Sequence, residues 1–178
     1  MTPEAMKALV RTIPDFPKPG ILFRDITTLI GHGEGFAACV ALLAGRAAET
    51  GAQAIAGLEA RGFIFGAAVA ARLGVPFVPV RKPGKLPVPV LAIDYALEYG
   101  TDTLEVDPGA IAQGQRVVIV DDLIATGGTA CAALALLRQA GAAVSDALFV
   151  IDLPDLGGAQ KLGEAGVRVR SVMDFPGH

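Results

Sequence analysis

The stretch "VVIVDDLIATGGTA" (residues 117–130) places a continuous apolar run, Val117 to Val120, directly before two acids, Asp121 and Asp122. Small and hydroxylated residues follow, Ala125-Thr126-Gly127-Gly128-Thr129, and then an Ala/Leu-rich pattern of helical period. A buried strand, a tight Gly-containing loop and a helix in that order make one β-loop-α unit. Such units pack helices onto a mostly parallel sheet, and ligands collect where the strands end.

Working outward, the same alternation recurs. Residues 53–57 read as a short buried strand, Phe63 to Leu73 as a helix stopped by Gly74, and 76–80 as a further strand. The clearest buried strand is 116–120, followed by a helix over 129–139 that Gly141 closes. Residues 146–151, a short helix near 158–164 and 167–172 complete the pattern. Residues 91–98 and 102–106 flank Tyr99-Gly100-Thr101 as an antiparallel hairpin. Upstream, Thr2 and Pro3 open a helix predicted to run to Thr12, with Met6, Leu9, Val10 and Ile13 on one stripe. A proline-broken loop, "DFPKPGILFRD" (15–25), leads towards a second helix over 35–50. The expected fold is α/β: one domain over 1–178, a mostly parallel twisted sheet flanked by helices, with a small hairpin appended.

Composition narrows the function classes. Hydrophobic residues make up 52% of 178 and charged ones 19%, which suits a packed core and argues against disorder. The net charge of −3 argues against a general nucleic-acid binder. Met1 to Arg11 is amphipathic rather than continuously apolar, so no signal peptide is predicted, and Arg72 and two prolines interrupt the most apolar stretch, 62–80. A cytoplasmic protein without membrane contact is the expectation. Cys39 and Cys131 lie in Ala-rich helical contexts without metal-ligand spacing and read as small buried thiols. His32, in a Gly-flanked turn, and His178 carry no signal.

The loop after Asp122 has the properties of a monophosphate cradle. Thr126 to Thr129 offer successive backbone N–H groups and two hydroxyls, and the following helix adds partial positive charge. No Lys follows the glycines, so it is not a Walker A loop; "GLEARG" (57–62) fails that test too, because Phe63 comes next. Carboxylates beside a phosphate would repel it, so Asp121 and Asp122 imply sugar hydroxyls, a metal ion or a developing cation. A phosphorylated ribose meets all these constraints. Between Ala60 and Ile93 there are five basic residues, Arg61, Arg72, Arg81, Lys82 and Lys85, and no acid. That is local positive charge on a net acidic chain, as a polyanionic substrate requires. Arg72 reads as a surface charge on its helix, while "RKPGKLP" (81–87) has the composition of a mobile loop that closes over an anion.

On these residues, "VVIVDDLIATGGTA" resembles the phosphoribosyl-pyrophosphate signature of type I phosphoribosyltransferases. "DFPKPGILFRDITTLI" (15–30), "GLEARGFIFG" (57–66), "RKPGKLP" and "YALEYGTDTLEV" (95–106) extend the resemblance in order along the chain, towards the adenine-specific branch. The resemblance implies the type I fold, with residues 1–34 as a base-binding hood. It implies adenine and phosphoribosyl pyrophosphate as substrates, Mg²⁺ as cofactor and a homodimer. Ribose and phosphate would lie on Asp121, Asp122 and Ala125 to Thr129. Pyrophosphate would lie on Glu59, Ala60, Arg61, Arg81, Lys82 and Lys85, with a cis peptide between Glu59 and Ala60. Adenine would meet Phe23 and the backbone around Arg24, and Glu98, beside Tyr99, would handle the purine proton. Arg61 and the paired acids complete the implied catalytic set. Mg²⁺ would be held by substrate, with Asp121 and Asp122 as the only protein oxygens implied near it. A phosphoribosyltransferase for another base would share this machinery except near Phe23 and Glu98. A non-catalytic nucleotide sensor of the same fold is a second alternative, against which the cationic loop and Glu98 argue. Asp107 stands where the family often has His, and 87–94 is unusually apolar.

Overall fold

Residues 1–97 and 100–177 are described in the computed structural model. In chain order the elements are α1 (Pro3–Lys7), β1 (Arg11–Pro14), β2 (Leu22–Asp25), α2 (Thr27–Ile30), α3 (Gly33–Glu49), β3 (Ala54–Leu58), α4 (Arg61–Leu73) and β4 (Phe77–Val80). They continue as β5 (Leu91–Ala96), β6 (Thr101–Val106), β7 (Arg116–Ile124), α5 (Gly128–Gln139), β8 (Ala143–Asp152), α6 (Gly158–Glu164) and β9 (Arg168–Asp174).

The centre is a five-stranded parallel sheet of order β4-β3-β7-β8-β9. It is apolar on both faces, as a parallel sheet between helices must be. On one face α3 and α4 bury Leu43, Ala47, Phe65 and Val69 against Ile55, Val118, Val120 and Leu148. On the other, Leu134, Leu136 and Leu137 of α5 meet Ile119, Phe149 and the inward residues Leu104 and Val106 of the β5–β6 hairpin. Each large apolar side chain so buried contributes about 1.5–3 kcal/mol. Cys39 is buried in α3 and burial pushes its thiol up to about 12; Cys131 is only half-buried, and both are free thiols.

Four expectations are corrected. The first helix stops at Lys7, not Thr12, because Arg11–Pro14 pairs antiparallel with Leu22–Asp25, a strand inside what reads as a loop. That ribbon is fastened by charge: Asp25 Oδ2 accepts from Arg11 Nη2 at 2.5 Å and from Thr27 Oγ1 at 2.8 Å. The second helix begins two residues early, since His32 Nδ1 accepts from the Gly35 amide at 3.1 Å and caps it. His32 is therefore informative after all. The β7 strand runs to Ile124, so Asp121 and Asp122 lie within it rather than at its exit; β8 continues to pair alongside, Ile124 opposite Asp152. Finally, Arg61 and Gly62 form the first turn of α4 instead of the turn before it.

The chain's two ends meet over the sheet. Arg24 Nη1 and Nη2 donate to Thr12 Oγ1 (2.7 Å) and to the carbonyl of Pro176 (2.9 Å), with the guanidinium 4.7 Å from the Phe175 ring centre. The Gly177 amide donates to Asp155 at 2.7 Å.

Candidate active site

The carboxyl ends of β3 and β7 converge on a polar cavity of about 270 Å³. Its walls are the turn residues Glu59 and Ala60, Arg61 at the start of α4, the acids Asp121 and Asp122, Lys82, and the loop and helix start from Ala125 to Ala130. Residues separated by more than sixty positions are thus brought to one place, because β3 and β7 are parallel neighbours with Gly57 opposite Val120.

The loop is built to face this cavity with amides. Its carbonyls are engaged elsewhere: Ala125 O accepts from the Gly158 amide (3.0 Å), Thr126 O from Lys161 Nζ (2.9 Å) and Gly127 O from the Cys131 amide (2.8 Å). The amides of Thr126, Gly127, Gly128 and Thr129 donate to no protein acceptor among the described residues. Unsatisfied amides at a helix start form an anion site. Gly158 must be glycine for this, since a Cβ there would stand 2.4 Å from Ala125 O.

The acids are crowded. Burial, with the neighbouring charge of Asp122 added, pushes the Asp121 carboxyl well above the usual range. Burial also raises Asp122, and the Arg61 charge opposes it. Arg61 Nε stands 3.0 Å from Asp122 Oδ2 as an ion pair, yet that buried oxygen accepts no aligned hydrogen bond among the described residues. Asp121 Oδ1 accepts from the Asp122 amide at 2.8 Å. A Cβ on Gly62 would lie 2.6 Å from Asp121 Oδ1, so glycine at that position lets α4 start against the acids.

The other expected anion ligands divide. Glu59 Oε2 accepts from the Lys82 amide at 2.8 Å and from Arg81 Nε at 3.2 Å. The Lys82 amide is the larger cause that holds this carboxyl below its ordinary range. Glu59 thereby ties the turn before α4 to the 81–87 loop, and the Glu59–Ala60 peptide is cis. Lys82 lines the cavity; Arg81 and Lys85 do not, Arg81 lying against Glu59 and 5.7 Å from the Phe63 ring centre. The loop expected to be mobile is tied at its start, with Arg81 bridged to Glu105 and the Gly84 amide donating to the Glu105 carboxylate at 3.0 Å. Arg72 is exposed on α4.

A second, apolar cavity of about 210 Å³ adjoins the first, sharing Arg61, Leu123 and Ala125 with it. Phe23 and Arg24 line it, as do Leu153 and Leu156, which the sequence does not single out. Phe23 is braced edge-on by Phe16 at 5.1 Å and lies 5.7 Å from the Arg61 guanidinium. The Arg24 guanidinium itself is committed to Thr12 and Pro176. Glu98 and Tyr99 lie outside the described residues.

A phosphate-type cavity beside a flat apolar slot fits a phosphorylated sugar carrying a base. The phosphoribosyl transferase domain family matches residues 30–155. The chain is 71% identical to the adenine phosphoribosyltransferase of Novosphingobium aromaticivorans over the full length of both. This chain belongs to the adenine phosphoribosyltransferase family. Solved adenine phosphoribosyltransferases superpose closely. That of Thermoanaerobacter pseudethanolicus has a TM-score of 0.93 at 48% identity, covering 98% of this chain and 100% of the other. That of Saccharomyces cerevisiae, complexed with an imino-altritol bisphosphate and adenine, has a TM-score of 0.90 at 38% identity, covering 96% and 97%.

Proposed function

We propose that the chain converts adenine and 5-phosphoribosyl 1-pyrophosphate to AMP and pyrophosphate, a purine-salvage reaction. The observation that carries the residue assignments is the row of four unengaged amides, Thr126 to Thr129, facing the same cavity as Asp122 Oδ2. In this reading the 5-phosphate takes the amides and the Thr126 hydroxyl, and the ribose hydroxyls take the carboxylates of Asp121 and Asp122. Pyrophosphate lies between Glu59–Arg61 and Lys82, with Arg81 and Lys85 adding charge from outside the cavity wall. Adenine fills the apolar cavity against Phe23, Leu153 and Leu156.

As the C1–O bond to pyrophosphate breaks and the bond from C1 to the purine nitrogen forms, positive charge grows on the sugar. Asp121 and Asp122 stabilise that charge, and Arg61 draws on the departing negative charge. Glu98 accepts the purine proton in this scheme, on family grounds. Asp122 Oδ2, buried and without an aligned donor, is the kind of oxygen a hard cation or a hydroxyl takes up. On family grounds Mg²⁺ is assigned mainly to substrate oxygens, near Asp121 and Asp122. Mg²⁺ there would neutralise charge on the leaving group.

The whole chain works as one domain, with residues 1–34 as the base-side hood. A cytoplasmic homodimer completes the reading on family grounds; among the described residues no helix is long and apolar enough to cross a membrane. The test is to incubate the protein with the ribose donor, Mg²⁺ and a mixture of adenine, guanine, hypoxanthine, xanthine and uracil, and to weigh the nucleotide formed. AMP is expected. A different nucleotide moves the specificity to another base, and no pyrophosphate release with any base makes the protein a sensor.

A further inference from the structure

Tyr95 lies in β5 directly opposite Asp102 of β6, its ring packed against the core beneath α5. Its hydroxyl is fully used. It accepts from Lys82 Nζ at 3.1 Å and from Thr129 Oγ1 at 3.4 Å, and donates to Asp102 Oδ2 at 3.2 Å. Lys82 Nζ also donates to Asp102 and forms an ion pair with it. A phenol has one proton to give and can accept at its oxygen, so this hydroxyl has little capacity left for a ligand. The two donors it gathers line the same cavity but come from distant parts of the chain: Thr129 from the loop assigned to phosphate, Lys82 from the loop assigned to pyrophosphate.

We propose that Tyr95 is a positioning residue that holds the two anion subsites, Thr129 on one side and Lys82 on the other, at a set separation. This rests on the anion site described above. A lysine head on four rotatable bonds loses considerable side-chain entropy when it must find a ligand unaided. Here Lys82 is fastened at both ends, its amide on Glu59 and its ammonium on Tyr95 and Asp102. The ammonium carries three protons, so two anchoring bonds leave one for pyrophosphate. The Thr129 hydroxyl spends its one proton on the phenol, which holds that side chain in one rotamer at the start of α5 and leaves the Thr129 amide for the phosphate. One hydroxyl thus serves a substrate whose two charged groups are joined by a rigid ring, and loosening it penalises both ends.

Tyr95→Phe keeps the packed ring and removes only that oxygen. Calorimetric titration of the full-length protein with Mg²⁺ should show pyrophosphate binding weakened about 5-fold and ribose 5-phosphate binding about 3-fold, as loss of one hydrogen bond predicts. Adenine binding should stay within about 2-fold, since no adenine contact is touched. The decisive arms are double mutants: in Lys82→Met the pyrophosphate effect of Tyr95→Phe should vanish, and in Thr129→Val the ribose 5-phosphate effect should vanish. Effects that persist in those backgrounds, or that extend equally to adenine, would mean the tyrosine acts through general packing and overturn the inference. Unchanged affinities in Tyr95→Phe, with Lys82→Met still weakening pyrophosphate, overturn it alone. If Lys82→Met leaves pyrophosphate bound as before and Gly158→Ala, whose methyl meets Ala125 O, leaves ribose 5-phosphate bound as before, the anion-site reading beneath it fails instead.

Discussion

The two cavities that meet at Arg61 are made in opposite ways. The polar one takes most of its wall from one contiguous stretch, Asp121 to Ala130, and presents main-chain amides whose positions a strand and a helix dictate. The apolar one is assembled from Ile21–Arg24, Arg61, Leu123, Ala125, Leu153 and Leu156, side chains drawn from four separate parts of the chain. Amides survive every substitution except proline, whereas each apolar wall residue can be exchanged alone. The polar half should therefore be damaged by changes in charge or backbone placement, and the apolar half by changes in side-chain volume.

The largest effect should come from Asp122→Asn, which removes the carboxylate assigned to the developing cation. A fall in kcat of about 100- to 1,000-fold is expected in a pyrophosphate-release assay, with adenine affinity little changed. Retained turnover would separate the acids from the chemistry. Next is Gly158→Ala, where the added methyl meets Ala125 O at 2.4 Å and must displace the phosphate loop. About 2 kcal/mol of overpacking corresponds to roughly 30-fold weaker ribose 5-phosphate binding by calorimetry. Equal loss for adenine would show that the two cavities are not separable. Leu156→Ala should raise the adenine KM about 10-fold through lost apolar contact and leave the KM of the phosphorylated donor within about 2-fold.

The smallest change in turnover is expected from Asp25→Asn, whose effect is on how the apolar half is attached. The Thr27 amide first, and Arg11 with it, hold the Asp25 carboxyl down to about 2. A depressed carboxylate supports the fold above its ordinary range near 4, and that support is lost as pH falls through about 2. Thermal melts should place Asp25→Asn below the parent protein at neutral pH, with the gap closing towards pH 2. A gap that persists in acid would mean that the asparagine harms packing rather than charge pairing.

The same contrast explains what could be read from the sequence. The 117–130 stretch carries its geometry locally, so cradle, acids and the following helix are visible in one line of text. Even there the end of β7 is hidden, because only its register with β8 carries pairing past Asp121 and Asp122 to Ile124. The stripe Met6, Leu9, Val10 and Ile13 satisfies a helical period, but the antiparallel partner at 22–25 decides that 11–14 is a strand. Leu153 and Leu156 look like any apolar residues after a strand; only the fold sets them opposite Phe23. Tyr95 is similarly mute, since nothing local ties a strand tyrosine to both Lys82 and Thr129.

The clasp between Arg24 and the Pro176 carbonyl spans 152 positions of chain. A polypeptide emerging from the ribosome has β3, β7 and β8, with the whole phosphate loop, once residue 152 is out, and Gly158 and Lys161 brace that loop soon after. The β1–β2 ribbon receives its tail only when residues 175 and 176 arrive. During synthesis, the loop proposed to grip the sugar phosphate is ready before the wall proposed for the base is fastened.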